Sequence, residues 1–466
     1  VLFNSIPFLV FFLALYLLYW KIPRLDIEGR KNLLLIASLV FYGWWSVPFL
    51  LHFTGIVALN YTVYFFVQRP GKLMLRFLLA LNLLHLAIFK YFYFLLDAAS
   101  VALPADVSAF LKPGDGLIPE IILPLGISFY TFQILAFHVD RYRGTIDYHV
   151  SMKDFMLFIM FFPQLVAGPI MRHDELLPYL KRPVTLRRNW LDKGIFLFLI
   201  GVAKKVLIAD NISPAIDPVF ASPSAYSSEA VLTAVYGFAI QIYMDFSGYS
   251  DMARGLAYAL GYRIPHNFRA PYFALSFRDF WRRWHITLSQ WLRDYLYIGL
   301  GGNRVSAVRN YFNLFATMVL GGLWHGANYT FIVWGALHGA YLVMERYFNL
   351  YPKPDARWPS RLLRGFIVFH LVLLAWIFFR APDMQGAFDV IAGLISSEGT
   401  GRVKFPLRVE YILLAAIVLH VYEYRARPFL RIWKWREWIL PVAAVVIGFL
   451  VMAFTGKSTP FIYFQF

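Results

Sequence analysis

Apolar runs close to the length of a bilayer crossing recur from one end of this chain to the other. They lie at 6–20, 33–50, 51–67, 77–96, 119–138, 193–212, 229–250, 310–323, 328–346, 363–379, 409–423 and 437–455. A spanning helix needs about 20 mostly apolar residues, and a segment crossing lipid must satisfy its own backbone hydrogen bonds. Of the 466 residues, 59% are hydrophobic and only 15% charged, too little charge to clothe a soluble protein of this size. The expected fold is all-α: a polytopic membrane protein of about ten spanning helices plus re-entrant and interfacial helices. It forms one membrane domain over residues 1–466, with no soluble domain and no internal repeat. The run Ile6–Trp20 has no basic residue before it and no small-residue cleavage site after it, so it reads as a retained helix rather than a removed signal peptide.

The net charge of +17 would suggest nucleic acid in a soluble protein. Here the basic residues sit in short loops between apolar runs, which is the positive-inside pattern, and nucleic-acid binding is not expected. Lys21, Arg24, Arg30 and Lys31 place the first loop inside, as do Arg69, Lys72 and Arg76 for the next basic loop. The loop 97–118, with Asp97, Asp106 and Asp115, suits the outside. Basic residues flank both 153–172, which carries Pro163, Gly168 and Pro169, and the pair of short runs meeting at LWHGAN; both read as re-entrant. The loop 213–228 has no Lys or Arg and is expected outside. Arg425, Arg427, Arg431, Lys434 and Arg436 precede the last run, so both termini are expected on the extracytoplasmic side. The stretch from Arg254 to Arg309, rich in Arg and Trp, reads as amphipathic helices on or partly inside the cytosolic face, which also suits an anionic membrane lipid or a phosphorylated cofactor.

The absence of cysteine excludes disulfides, thiolate metal sites and a Cys nucleophile. No HxxxH, HExxH or acidic cluster has metal-ligand spacing, so no metal is expected. Asp245 and Asp251 diverge by about 240° on one helix and do not form a glycosidase pair; Asp245 reads as a buried polar anchor. Among the eleven histidines, His52, His85, His370 and His420 lie in apolar runs without polar companions and read as packing.

Two histidines stand apart. His325 sits in GGLWHGAN, where Gly321, Gly322 and Gly326 leave room for a substrate, and an ionisable group at membrane depth is a functional candidate. His285 lies among Arg278, Arg282, Arg283, Arg293, Asp279 and Asp294; the alternative is a surface helix on an anionic membrane. His338, about 220° from His325 on one continuous helix, reads as packing. An imidazole can take a proton from a hydroxyl near neutral pH, and arginines can hold phosphates. Acyl transfer from a phosphate-bearing thioester fits these parts; so does a transporter with a polar path, or a structural subunit that recruits a partner.

The motifs FNSIPFL, ILPLGISFYTFQ, FFPQLVAGPI, YMDFSGYSDMARG, PHNFRAPY, FWRRWHITLSQWLRDYLYIGLGGN, GGLWHGANYTFIVWGALHG and FIYFQF run through nearly the whole chain. Together they resemble the membrane-bound O-acyltransferase family, in its bacterial branch of alginate O-acetylation and teichoic-acid D-alanylation proteins. The resemblance implies helices around a central tunnel, with His325 as the catalytic histidine and His285 as the second active-site histidine. It also implies a bacterial cytoplasmic (inner) membrane location and acetyl-coenzyme A as donor, although the D-alanyl branch uses a carrier-protein thioester. Arg282, Arg283 and Trp324 are the expected donor-binding residues. An extracytoplasmic SGNH-hydrolase-like partner would place the acyl group on a polysaccharide. The motif 461–466 is expected at the extracytoplasmic surface, where Tyr463 either carries the acyl group as a phenyl ester or belongs to an aromatic tail that docks the partner.

Overall fold

The computed structural model describes residues 3–22, 25–67, 70–100, 121–353, 355, 357–396, 398–405, 409–424, 435–454 and 461. Most of the loop expected outside at 97–118, most of the basic residues before the last run, and Tyr463 lie outside the described residues. The chain divides into two compact units: Val1–Leu186 with Tyr262–Ile264, and Arg187–Gly261 with Pro265–Phe466. Five helices among the described residues are long and apolar enough by themselves to cross a membrane: Val47–Phe66, Lys72–Ala99, Ser228–Ala259, Trp358–Arg380 and Arg436–Ala453. The other apolar runs form helices that are shorter, bent or more polar.

The first unit contains α1 (Ile6–Lys21), α2 (Ile27–Gly43), α3 (Val47–Phe66), α4 (Lys72–Ser100), α5 (Ile127–Tyr142), α6 (Met152–Met160), α7 (Phe162–Leu165) and α8 (His173–Leu180). Side chains set the starts: the Ser5 hydroxyl accepts from Phe8 N–H, the Asp26 carboxylate from Gly29 N–H, and the Ser151 hydroxyl from Asp154 N–H. The segment expected to be re-entrant is broken at Phe161 between α6 and α7, and every residue from Leu157 to Met171 is buried. Protein groups replace the interrupted ladder there: Phe162 N–H donates to Ser38 Oγ at 3.2 Å, and Gln164 Nε2 to Phe158 O at 2.8 Å.

Two sequence readings change in this unit. Lys31 is not in a loop; it is buried on α2 and pairs with Asp154 and Glu28, each at 2.8 Å. His52 and His85 do have polar companions, namely each other: their Nε2 atoms are 2.8 Å apart and the rings stack. Single-chain reading treats the two histidines separately, whereas the α3–α4 packing brings them face to face.

In the second unit, α9 (Arg188–Val202) continues through a π-helical turn (Ala203–Ala209) into α10 (Asp210–Ala221), so helix occupies much of the segment expected as an outer loop at 213–228. This element packs on α11 (Ser228–Ala259) through facing glycines. A Cβ on Gly201 would stand 2.5 Å from the Gly248 carbonyl oxygen, so only glycine permits this approach. The π turn carries two consecutive buried lysines. Lys204 bridges Asp251 and Glu423; Lys205 bridges Asp210 and Asp245, each at 2.8 Å. Asp245 is thus the buried polar anchor that the sequence suggests.

The chain goes on through α12 (Phe277–Trp281), α13 (Ile286–Trp291), α14 (Ala307–His325), α15 (Tyr329–Tyr347), α16 (Trp358–Arg380), α17 (Met384–Ile395), α18 (Val409–Tyr424) and α19 (Arg436–Phe454). The α14–α15 pair is a close hairpin, capped at its turn by Asn328 Oδ1, which accepts from Thr330 N–H at 3.0 Å. His370 on α16 also differs from its sequence reading: its Nε2 bonds the Tyr236 hydroxyl of α11 at 2.5 Å.

Candidate active site

α12 and α13 are short because the chain turns sharply between them, and His285 occupies the turn. Its φ of 41° is left-handed, which ends one helix and starts the next in a new direction. The apolar face of this stretch does not lie on a membrane surface. Phe277, Phe280, Trp281, Trp284, Leu288 and Trp291 are buried within the protein, while Arg278, Arg282 and Arg293 are exposed. The surface-helix alternative therefore fails: tertiary packing claims the tryptophans that an interfacial helix would give to lipid.

His325 is the last residue of α14, and Gly326 beyond it is extended and opens the turn to α15. The fold brings the two histidines together, with ring centroids 6.5 Å apart. His285 is completely buried and His325 is 4% exposed. Trp324 packs against both, at 6.0 Å from His285 and 4.9 Å from His325. Phe246 of α11 meets His285 edge-on at 4.7 Å. Trp334 of α15 and Phe379 of α16 meet His325 edge-on at 5.0 and 5.1 Å. Four helices thus wall the histidines with aromatic rings. Burial pushes the His285 imidazole down to about 3, so it is neutral at physiological pH, one ring nitrogen a donor and the other an acceptor.

His338 reads differently once the hairpin is seen. The continuous-helix geometry used to separate it from His325 does not exist, because α14 ends at His325. His338 lies behind Trp334, at 4.9 Å, and that ring separates it from the pair. Arg283 bonds Asp279 at 2.8 Å and stacks its guanidinium over Tyr424 at 5.5 Å, whereas Arg282 is exposed.

Phe461 also lies in this region. Phe461, the first residue of FIYFQF, is 1% exposed; it packs on Tyr249 at 4.9 Å and on Phe246 at 5.7 Å, the same Phe246 that touches His285. The Lys204–Glu423 contact is not apparent from motif reading. Lysines 204 and 205 inside the apolar run 193–212, and Glu423 inside 409–423, are the signals that were available, since buried charges in apolar runs demand partners.

Two imidazoles buried among aromatic rings can accept a hydroxyl proton. The model of the MBOAT, membrane-bound O-acyltransferase family, matches residues 141–379. A probable alginate O-acetylase of Azotobacter vinelandii is 40% identical over 91% of this chain and 85% of its own length. The peptidoglycan O-acetyltransferase of Helicobacter pylori is 32% identical over 100% of this chain and 97% of its own. The teichoic acid D-alanyltransferase of Bacillus subtilis is 30% identical over 57% of this chain and 71% of its own. The chain belongs to the membrane-bound O-acyltransferase family and is a multi-pass membrane O-acyltransferase.

Proposed function

We propose that this protein takes an acetyl group from cytosolic acetyl-coenzyme A and delivers it across the bacterial inner membrane for O-acetylation of an extracytoplasmic polysaccharide. The relatives that match over most of both chains bear O-acetylation names, one for alginate and one for peptidoglycan. The D-alanyl relative matches over little more than half of this chain. His325 and His285 are the catalytic pair, Trp324 lines the acyl site, and Arg282 and Arg283 hold the donor's phosphates. An SGNH-hydrolase-like partner completes the transfer outside.

The observation that carries this reading is the position of Phe461 against Phe246, one ring from His285. Tyr463 follows Phe461 by two residues in the sequence, and its hydroxyl is the proposed acceptor. His325 takes the phenol proton as the phenol oxygen attacks the thioester carbonyl. The C–S bond then breaks, and the leaving thiolate receives the proton as coenzyme A. The resulting phenyl ester is more reactive than an alkyl ester, which suits onward transfer.

The test is coenzyme A release from acetyl-coenzyme A by the purified protein, intact and as His325→Ala and Tyr463→Phe, with mass spectrometry of the C-terminal peptide. Release that requires His325 with acetyl on Tyr463 supports both steps. Release by an unlabelled tail removes the relay and returns the motif to partner docking. No release from acetyl-coenzyme A, with turnover of a carrier-protein thioester, moves the donor to the D-alanyl type.

A further inference from the structure

The left-handed turn at His285 is held by a separate segment of the chain. A φ of 41° at a non-glycine residue crowds Cβ against the backbone, so such a turn persists only where its surroundings over-determine it. Three hydrogen bonds from the next two residues converge on Asn267. Ile286 N–H donates to the Asn267 carbonyl at 2.9 Å. Thr287 N–H and its hydroxyl both donate to Asn267 Oδ1, at 3.2 and 2.8 Å. A backbone N–H can only donate, so the amide oxygen must face the turn. The Nδ2 group, also buried, finds no acceptor among the described residues. The side chain is therefore oriented by its oxygen alone.

Two further contacts turn this into a strap. Arg269 N–H donates to the Arg283 carbonyl at 2.9 Å, so residues 267–269 are stitched to the chain on both sides of His285. Behind it, Ala270 is also left-handed, with φ of 47°, and its N–H donates to Glu423 Oε2 at 3.0 Å. Glu423 is itself fixed by the Tyr243 hydroxyl and the Lys204 ammonium. The strap is thus anchored to the buried ion pairs at one end and grips the histidine turn at the other.

We propose that Asn267 is a positioning residue for acyl transfer: it fixes the backbone at His285 and so aims that imidazole at His325 and the acyl carbonyl. The proposal rests on the reading of His285 as an active-site group. It assigns Asn267 no contact with substrate; the effect passes through the turn.

The experiment compares intact protein with Asn267→Ala, Asn267→Asp and His285→Gln in two readouts. The first is kcat and KM for coenzyme A release. The second is the imidazole ¹⁵N resonance of His285 in ¹⁵N-histidine-labelled protein, assigned by its loss in His285→Gln. Removing the acceptor in Asn267→Ala is expected to lower kcat at least tenfold with KM within about twofold, and to shift or split the His285 resonance. Asn267→Asp keeps an acceptor oxygen for both Thr287 donors and is expected to recover most of kcat and the single resonance. An unchanged resonance and kcat in Asn267→Ala would overturn the proposal, as would an Asp variant no better than Ala. Should intact protein release no coenzyme A, or His285→Gln release it normally, the catalytic reading of His285 fails; the resonance still decides whether Asn267 sets the turn.

Discussion

His285 and His325 face each other with ring centroids 6.5 Å apart, and Trp324 packs against both. Neither ring is placed for solvent, and the walls around them are aromatic. His325→Ala and His285→Ala are each expected to lower coenzyme A release by roughly 10²-fold or more, the range for loss of a positioned proton-transfer group. His338→Phe is the comparison: its ring lies behind Trp334, and its turnover should stay within about threefold of the parent. Equal losses in all three variants, with matching losses of thermal stability, would make the pair a packing feature instead.

The hairpin that presents His325 depends on close backbone approach. A Cβ on Gly322 would press directly onto the Phe331 carbonyl oxygen, and one on Gly335 would stand 2.5 Å from the Met318 carbonyl oxygen. Both obstacles are backbone and cannot rotate away. Gly322→Ala should therefore cost roughly 1–3 kcal/mol through forced separation of α14 and α15, and should lower activity by moving His325. Gly448 on α19 has open space around it, so Gly448→Ala should leave melting in detergent unchanged. A Gly322→Ala protein that melts with the parent would contradict this close packing.

Lys204 is fully buried between Asp251 and Glu423, and Glu423 in turn holds Ala270 N–H. Lys204→Met leaves Glu423 buried without its cation, while Asp251 keeps only Arg254, at 3.1 Å. The expected cost is about 3–5 kcal/mol, the usual range for breaking a buried pair from one side. Adding Glu423→Gln to Lys204→Met should recover part of that stability, because it removes one uncompensated charge. The double variant should not recover activity fully, since the strap beside His285 loses its charged anchor. The check is thermal melting of the single and double variants beside their turnover; additive losses would show the residues to be independent.

How far the sequence carries can be judged residue by residue. The helical, membrane-spanning character was legible because apolar length and low charge report it directly. GGLWHGAN marked His325 because glycine, an ionisable ring and apolar flanks coincide there. The pairing of His52 with His85, or of Lys204 with Glu423, was not legible. Those partners lie on different helices, and local pattern carries no information about which helices meet. The left-handed turn at His285 was hidden for a different reason: a non-glycine residue at positive φ is held by Asn267, so nothing at position 285 itself announces it. The Trp and Arg pattern of 277–293 suits both an interface and a protein interior, and only packing separates the two.

Glu175 offers a pH test outside the spanning segments. It lies in the first turn of α8, where its Oε2 accepts from Arg172 N–H at 2.8 Å, and burial raises its carboxyl from the ordinary 4.5 to about 7. The folded protein therefore binds more protons than the unfolded chain between pH 4.5 and about 7. Folding stability should fall as pH rises through that window, by up to about 3 kcal/mol, and level off above it. Gln cannot ionise, yet its side-chain oxygen can still accept from Arg172 N–H. Glu175→Gln should accordingly melt with the parent near pH 5 and above it near pH 8, measured in the same detergent. A variant equal to the parent at both values would mean that Glu175 remains ionised in the folded protein, stabilised by the Arg172 amide strongly enough to outweigh its burial.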